Sequence, residues 1–257
     1  MADAGGGDKG IPTNLRLLLV LEEIAAAGVP VTPTAVNETI GLPKATVHRL
    51  FHRLEEENFL QRDIDGRSYS AGLRLRKLAI NVLSSSRVRA VRLAVLNALT
   101  ADIGETCNIA TPDRDGMVYL DRVETKWPLR IQLPVGTTVP FHCTASGKMY
   151  LSTLPPRTLA KYLAATILDV QTDRTLTSPE ALQQEVETIR QRGFSTDDEE
   201  FMDGMVAIAV PIMDDLGRMM STLSIHAPTQ RVSLDDLIGQ LPRLQKAAED
   251  LSEMVNR

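Results

Sequence analysis

The sequence predicts a winged helix-turn-helix at the N-terminus followed by an α+β domain built on an antiparallel sheet. Three observations carry this. Residues 32–54 read as two short helices meeting at Gly41, the second apolar on one face and basic on the other. Phe59–Leu60 and Tyr69 flank Asp65–Gly66, a two-residue hairpin signal. From Gly104 onward, short runs of β-formers mix with helical patterns without strict βαβ alternation.

Length and charge bound what such a chain does. The 257 residues suffice for two domains with ordinary cores, and the formal net charge of −5 argues against indiscriminate coating of nucleic acid. Acidic and basic side chains balance through residue 80, so a DNA partner implies a local patch and a specific site. Two cysteines, Cys107 and Cys143, show no pairing pattern and fit a reducing compartment. No apolar run approaches membrane-spanning length, and MADAGGGDKG lacks the regions of a signal peptide. The expected location is the cytoplasm.

In order, residues 1–11 read as a disordered lead-in. Residues 12–72 form the DNA-binding domain. Its first helix runs from Leu15 to Ala27 with Leu17, Leu18, Leu21, Ile24 and Ala25 on one face. Thr32–Pro33 starts a second helix and Pro43 a third, in which Val47, Leu50, Phe51 and Leu54 make the packing face. Glu55–Glu56–Glu57 sits against the helix dipole there and reads only as a solvated face. Residues 73–88 are a helical linker, with Ser84–Ser85–Ser86 capping a helix from Arg87 to about Ala101. Val88, Val91, Val95 and Leu99 form its stripe and Arg87, Arg89 and Arg92 lie outside. That helix packs either on a partner chain or on its own domain. Residues 89–257 complete the chain. Strands are expected in TCNIAT, MVYLDRV, LRIQLPV, VAIAVPI and STLSIHAP, and helices after Thr144, Pro155 and Ser178 and over Leu234–Val255.

The candidate DNA contacts follow from the donors on the outer face of the third helix and on the hairpin. They are Thr34, Lys44, Ala45, Thr46, His48, Arg49, His52 and Arg53, with Arg62 and Arg67 on the wing. Glycine-joined helix pairs also occur in all-α cores, and a basic face is often merely solvated. The hairpin after the pair favours the winged reading.

Beyond these patterns, the chain resembles IclR-type transcriptional regulators over nearly its whole length. The matching blocks are GLPKATVHRLFHRLEEENFLQRDIDGRSYSAGLRL, GETCNIA, VYLDRVET, GTTVPFHCTASGKMYLSTLP, IRQRGFSTDDEEFMDGMVAIAVPI and STLSIHAP, in that order. The resemblance implies a GAF-like effector domain that binds a small metabolite, dimers or dimers of dimers on operator DNA, and repression or activation. It departs at Ala207, where a cysteine often stands, and at His226, which replaces the second serine of S-x-S-G-P. Both positions line the effector pocket in the family.

The residues near that pocket suggest chemistry of their own. Small residues from Thr144 to Lys148 open a helix whose first N–H groups suit a carboxylate, although a plain Thr144 cap explains them too. Candidate effector contacts are Ala145, Ser146, Asp197, Ser224 and His226, with Leu129, Val139, Met205 and Ala207 as apolar wall. The run Asp197–Glu200 reads as a solvated loop unless one carboxylate orients a ligand hydroxyl or a neighbouring donor. If His226 binds as a cation, it does so below its usual titration near 6.5. Two alternatives belong to other classes: a metal sensor using Cys107, His142, Cys143 and His226, and an enzyme with Cys143 as nucleophile. The four residues lack ligand-like spacing, and a buried structural cysteine is the commoner case. No cofactor, no metal and no catalytic residue are expected.

Overall fold

The computed structural model describes residues 11–63, 65–83 and 86–255. It separates into two compact units, residues 1–83 and 84–257. Most of the expected lead-in, and Ser84 and Ser85, lie outside the described residues.

The first unit holds α1 (Arg16–Ala27), α2 (Pro33–Ile40), α3 (Lys44–Glu56), β1 (Leu60–Arg62), β2 (Tyr69–Ala71) and α4 (Leu73–Leu83). The Thr32 hydroxyl accepts from the Ala35 N–H at 3.2 Å, and Pro33 occupies the first helical turn of α2. Gly41 turns the chain at φ +71°, and Asn37 staples that turn by donating to the Leu42 carbonyl and accepting from its N–H, each at 2.8 Å. In α1 the packing face contains Val20 and Ile24, with Leu17 and Leu21 half-buried. Leu18, expected inside, is 53% exposed because it falls off that i, i+3, i+4, i+7 face.

The wing forms, with Leu60 opposite Ala71 and Arg62 opposite Tyr69. Its connection is longer than a two-residue turn. Asp65 takes hydrogen bonds from the Arg67 and Ser68 N–H groups and the Ser68 hydroxyl, while the Asp63 N–H donates to the Ser68 carbonyl. Val31 adds a second backbone partner to Tyr69. Gly72 is obligatory for space: a Cβ there would lie 2.3 Å from the Asn58 carbonyl oxygen.

The second unit runs α5 (Ser86–Ile103), β3 (Thr106–Pro112), β4 (Met117–Val123), β5 (Thr138–Val139), α6 (Ala145–Thr153), α7 (Pro156–Ala165), α8 (Pro179–Arg192), β6 (Ser195–Asp198), β7 (Met205–Met213), β8 (Met219–Pro228), α9 (Leu234–Ile238) and α10 (Leu241–Val255). The strands make one antiparallel sheet in the order β5-β4-β3-β8-β7-β6. Alternation sorts its side chains. Cys107, Ile109, Val206, Ile208, Leu223 and Ile225 join Leu96, Leu99, Leu237, Leu244 and Leu251 in the core under α5, α9 and α10. On the other face Ala207 and Ala209 meet Ala145 and Met149 of α6 and Ile189 of α8.

Four expectations are corrected here. LRIQLPV is a loop, because β4 pairs instead with residues 136–139 and the loop's carbonyls are taken by arginines, Leu129 by Arg231 and Ile131 by Arg122. The last helix is two: Gly239 closes α9, and Gln240 accepts from the Arg243 and Leu244 N–H groups to start α10, which places Pro242 in its first turn. Arg92 does not face outward but is buried against the fully buried Asp121 at 2.6 Å, while Arg89, its side chain still 47% exposed, also reaches that carboxylate at 3.0 Å. Asp121 reaches them because an irregularity between Ile109 and Ala110 inserts Leu120, turning Tyr119 to the α6 side and Asp121 to the α5 side. Finally, the acidic run is not a solvated loop: Asp197 lies in β6, 1% exposed.

Candidate functional site

The outer face of α3 presents exposed Lys44, Ala45, His48, Arg49, His52 and Arg53, with Thr46 half-buried and Thr34 exposed on the first turn of α2. Val47, Phe51 and Leu54 hold the helix down from the other side. Arg67 is exposed on the wing. Among the described residues no acid pairs with Lys44, Arg49 or Arg67.

Arg62 is different. It grips Glu55 with two nitrogens, at 3.0 and 2.8 Å, donates to the Gly66 carbonyl and lies over the Tyr69 ring. The wing-to-helix tie engages three of the five guanidinium N–H groups, and the side chain stays 45% exposed. The acidic run that closes α3 has the same explanation. Glu55 takes Arg62, Glu56 takes His52 and Arg53, and Glu57 takes Arg53 and Arg74.

In the second unit, strand register brings the pocket residues into two rows on the α6 face. One row crosses the sheet as Asp197, Ala207, His226 and Thr106; the next as Ser195, Ala209, Ser224, Asn108 and Arg122. Small residues in β7 leave the middle of this face low. Thr144 caps α6 by accepting from the Gly147 N–H at 3.0 Å, which leaves the first-turn Ala145 and Ser146 N–H groups beside the rows. Asn108, Ser146, Asp197, Ser224 and His226 are all at most 4% exposed. Four of their polar atoms, Asn108 Nδ2, Ser146 Oγ, Asp197 Oδ2 and His226 Nδ1, have no hydrogen-bond partner among the described residues.

The electrostatics are set by burial. Asp197 Oδ1 accepts from the Glu200 and Phe201 N–H groups, but loss of water, then the nearby Glu200 charge, push this carboxyl up to about 7. Buried Lys148 pairs with Glu200 and draws in the opposite direction. His226 shares a hydrogen bond with Ser224 through Nε2 at 3.2 Å and meets Tyr119 edge-on. Burial first, and the Arg122 charge second, push it down to about 3. It is therefore a neutral imidazole at ordinary pH, which corrects the cationic role considered from sequence.

Other wall residues divide. Met205, Ala207 and Val139 are buried, but Val139 packs with Met117, Tyr119 and Phe141 at the β5 edge. Leu129 is 57% exposed in the 124–137 loop and does not enter the rows. Asn108, Tyr119, Arg122 and Lys148 were not singled out by sequence. Asn108 had a signal, since asparagine is depleted in strand interiors and sits here between β-formers. An open cleft of about 720 Å³ between α5 and residues 123–128 takes in none of these residues.

A helix-turn-helix whose basic face leaves Lys44 and Arg49 without an acidic partner among the described residues, joined in one chain to a sheet domain enclosing polar groups likewise without partners there, defines a DNA-binding regulator with an effector domain. Residues 15–63 match the IclR helix-turn-helix domain, and residues 80–253 match the family described as bacterial transcriptional regulator IclR C-terminal. The chain belongs to the IclR family of transcriptional regulators. It is 40% identical over 92% of its length, and 94% of the relative's, to "Probable transcriptional regulator SauR" of Cupriavidus necator. It is 30% identical to the acetate operon repressor of Salmonella typhimurium, over 92% of this chain and 87% of that one. The crystal structure of Thermotoga maritima IclR is similar with a TM-score of 0.64 and 27% identity, covering 95% and 99% of the two chains. These relatives are regulators, not enzymes, and the metal-sensor and cysteine-enzyme alternatives gain no support. Cys107 lies on the opposite sheet face from His226, burial pushes both thiols up to about 12, and no metal-binding group of three occurs among the described residues.

Proposed function

We propose that this regulator binds a small organic acid between α6 and the sheet, and that the bound acid changes its affinity for operator DNA. The observation that carries this is a set of four buried polar atoms without a partner among the described residues, three on one sheet face and the fourth, Ser146 Oγ, on the first turn of α6 beside it. Buried polar groups cost free energy unless paired, so such a cluster is a site for a ligand's own polar atoms. The ligand carboxylate meets the Ala145 and Ser146 N–H groups and the Ser146 hydroxyl. Met205 and Ala207 supply apolar surface, and Ser224 and His226 bound the far side. On the DNA side, Thr34, Lys44, Ala45, Thr46, His48 and Arg49 face the bases, and Arg67 the phosphates.

The protein acts in the cytoplasm as a dimer. Leu15 just before α1, Leu18 of α1, and Leu73, Leu78 and Val82 of α4 are exposed apolar side chains that support self-association. Val91 of α5 is exposed as well, whereas Val95 packs on the core of its own unit. Val88, also expected there, has a side chain outside the described residues.

The test is a panel of small aliphatic and aromatic carboxylates, read by thermal shift and by release of promoter DNA. A ligand that binds only the folded state raises its stability, by about 2.7 kcal/mol at a hundredfold excess over Kd. The expected result is at least one acid that shifts melting and DNA affinity in wild type and loses its effect in Ser146→Ala. A panel without any shift sinks the proposal.

A further inference from the structure

We infer that Asn108 is a specificity-determining residue of the effector site, presenting an N–H donor to a second oxygen of the ligand, and that Arg122 fixes it in that orientation. This rests on the effector site proposed above and adds the class of ligand: a carboxylate with a keto, hydroxyl or similar oxygen beyond the carboxylate itself.

The geometry begins at β3 and β4, where Asn108 stands directly opposite Arg122. Arg122 Nη1 donates to Asn108 Oδ1 at 2.7 Å. The guanidinium is itself held, donating to the Ile131 carbonyl and to Glu124, and its side chain is 3% exposed. A guanidinium only donates, so it can be satisfied only by the amide oxygen. The amide is therefore locked one way round, with its NH2 group turned away from Arg122. Asn108 is fully buried, and that nitrogen has no partner among the described residues.

Position explains what it meets. Ser224 stands opposite Asn108 on β8, and His226 lies two residues along on the same face. Ser224 and His226 share a hydrogen bond through the hydroxyl and Nε2, and the unpartnered Nδ1 donates or accepts according to the tautomer. Asn108 Nδ2 is thus the donor on this side whose direction no tautomer or rotor can reverse. The α6 N-terminus offers donors to the carboxylate from the other side of the site. Two fixed sets of donors select a molecule with a further oxygen besides its carboxylate, and a site with a buried donor rejects an analogue that leaves it unpaired.

The test uses full-length protein and two probe series. One is butyrate, 2-hydroxybutyrate and 2-oxobutyrate; the other is benzoate, 4-hydroxybenzoate and 4-formylbenzoate. Wild type is expected to bind the oxygenated members of at least one series tenfold or more tighter than the parent acid. Asn108→Leu should bring that ratio close to one. Asn108→Asp keeps an ion pair with Arg122 but turns an acceptor inward. It should retain the hydroxy acid, which can donate, and lose the oxo acid at least tenfold. Arg122→Met, which frees the amide to turn, should shrink the preference while leaving affinity for the parent acid in place. Because each readout is a ratio between ligands on one protein, a general loss of stability does not imitate it. Wild-type binding without preference, or an unchanged preference in Asn108→Leu and Asn108→Asp, overturns the inference and leaves the effector site standing. No binding by any acid of the panel overturns both.

Discussion

At the scale of single residues, Asp197 is a carboxyl that burial and the Glu200 charge hold up at about 7. In the unfolded chain it titrates near 3.9. The folded state therefore binds the extra proton between roughly pH 4 and 7, and stability from this group is present at low pH and lost as pH rises through that window. His226 works in the opposite sense: folded it stays neutral down to about 3, so its contribution is lost as pH falls below roughly 6.5. Asp197→Asn separates the two, since the amide oxygen can still accept from the Glu200 and Phe201 N–H groups. Melting of the variant relative to wild type should rise between pH 5 and pH 8. A flat difference across that range would refute the assignment of Asp197 as a neutral acid. Little in D-D-E-E tells which carboxylate turns inward. A four-residue edge strand carries too short an alternation to separate from a solvated loop.

At the scale of elements, wing and recognition helix hold one another, and Arg49 and Arg67 are the arginines there without an acidic partner among the described residues. Arg49→Ala should weaken operator binding by about 1–3 kcal/mol if it reads a base. Arg67→Ala should weaken binding to all sequences alike. Arg62→Ala should act differently: it frees Glu55 and loosens the wing, lowering the melting temperature of the first unit more than it changes sequence preference. Equal losses on operator and unrelated DNA, with melting unchanged, would make Arg62 a phosphate contact after all. Helix starts at Thr32, Thr144 and Ser178 were legible because each rests on its own hydroxyl and neighbours. LRIQLPV was not. Its β-formers satisfy every local rule for a strand, and only distant Arg122 and Arg231 take the carbonyls that a neighbouring strand would have used.

At the scale of the whole molecule, order and class of the two units were readable from periodicity, while the inner lining of the effector site was not. Register decides that lining, and a single inserted residue at Leu120 reverses which side chains of β4 look inward. Assembly is testable at this scale. Leu18→Glu with Leu78→Glu should shift sedimentation at micromolar concentration from dimer to monomer and weaken operator binding, with each unit still folded. An unchanged dimer would move the interface elsewhere.

The acids that close α3 also govern how this protein feels ionic strength. Of the cations on its recognition helix and wing, Arg53 already carries two carboxylates and Arg62 one, and among the described residues Lys44, Arg49 and Arg67 carry none. A side chain already neutralised by its own protein displaces few ions from the duplex. About three displaced counterions per subunit correspond to a slope near −3 in log affinity against log salt, and near −5 for a dimer. That is shallow for a repressor-sized contact. Occupancy of the operator should then depend more on base recognition and on the effector than on the salt content of the cell.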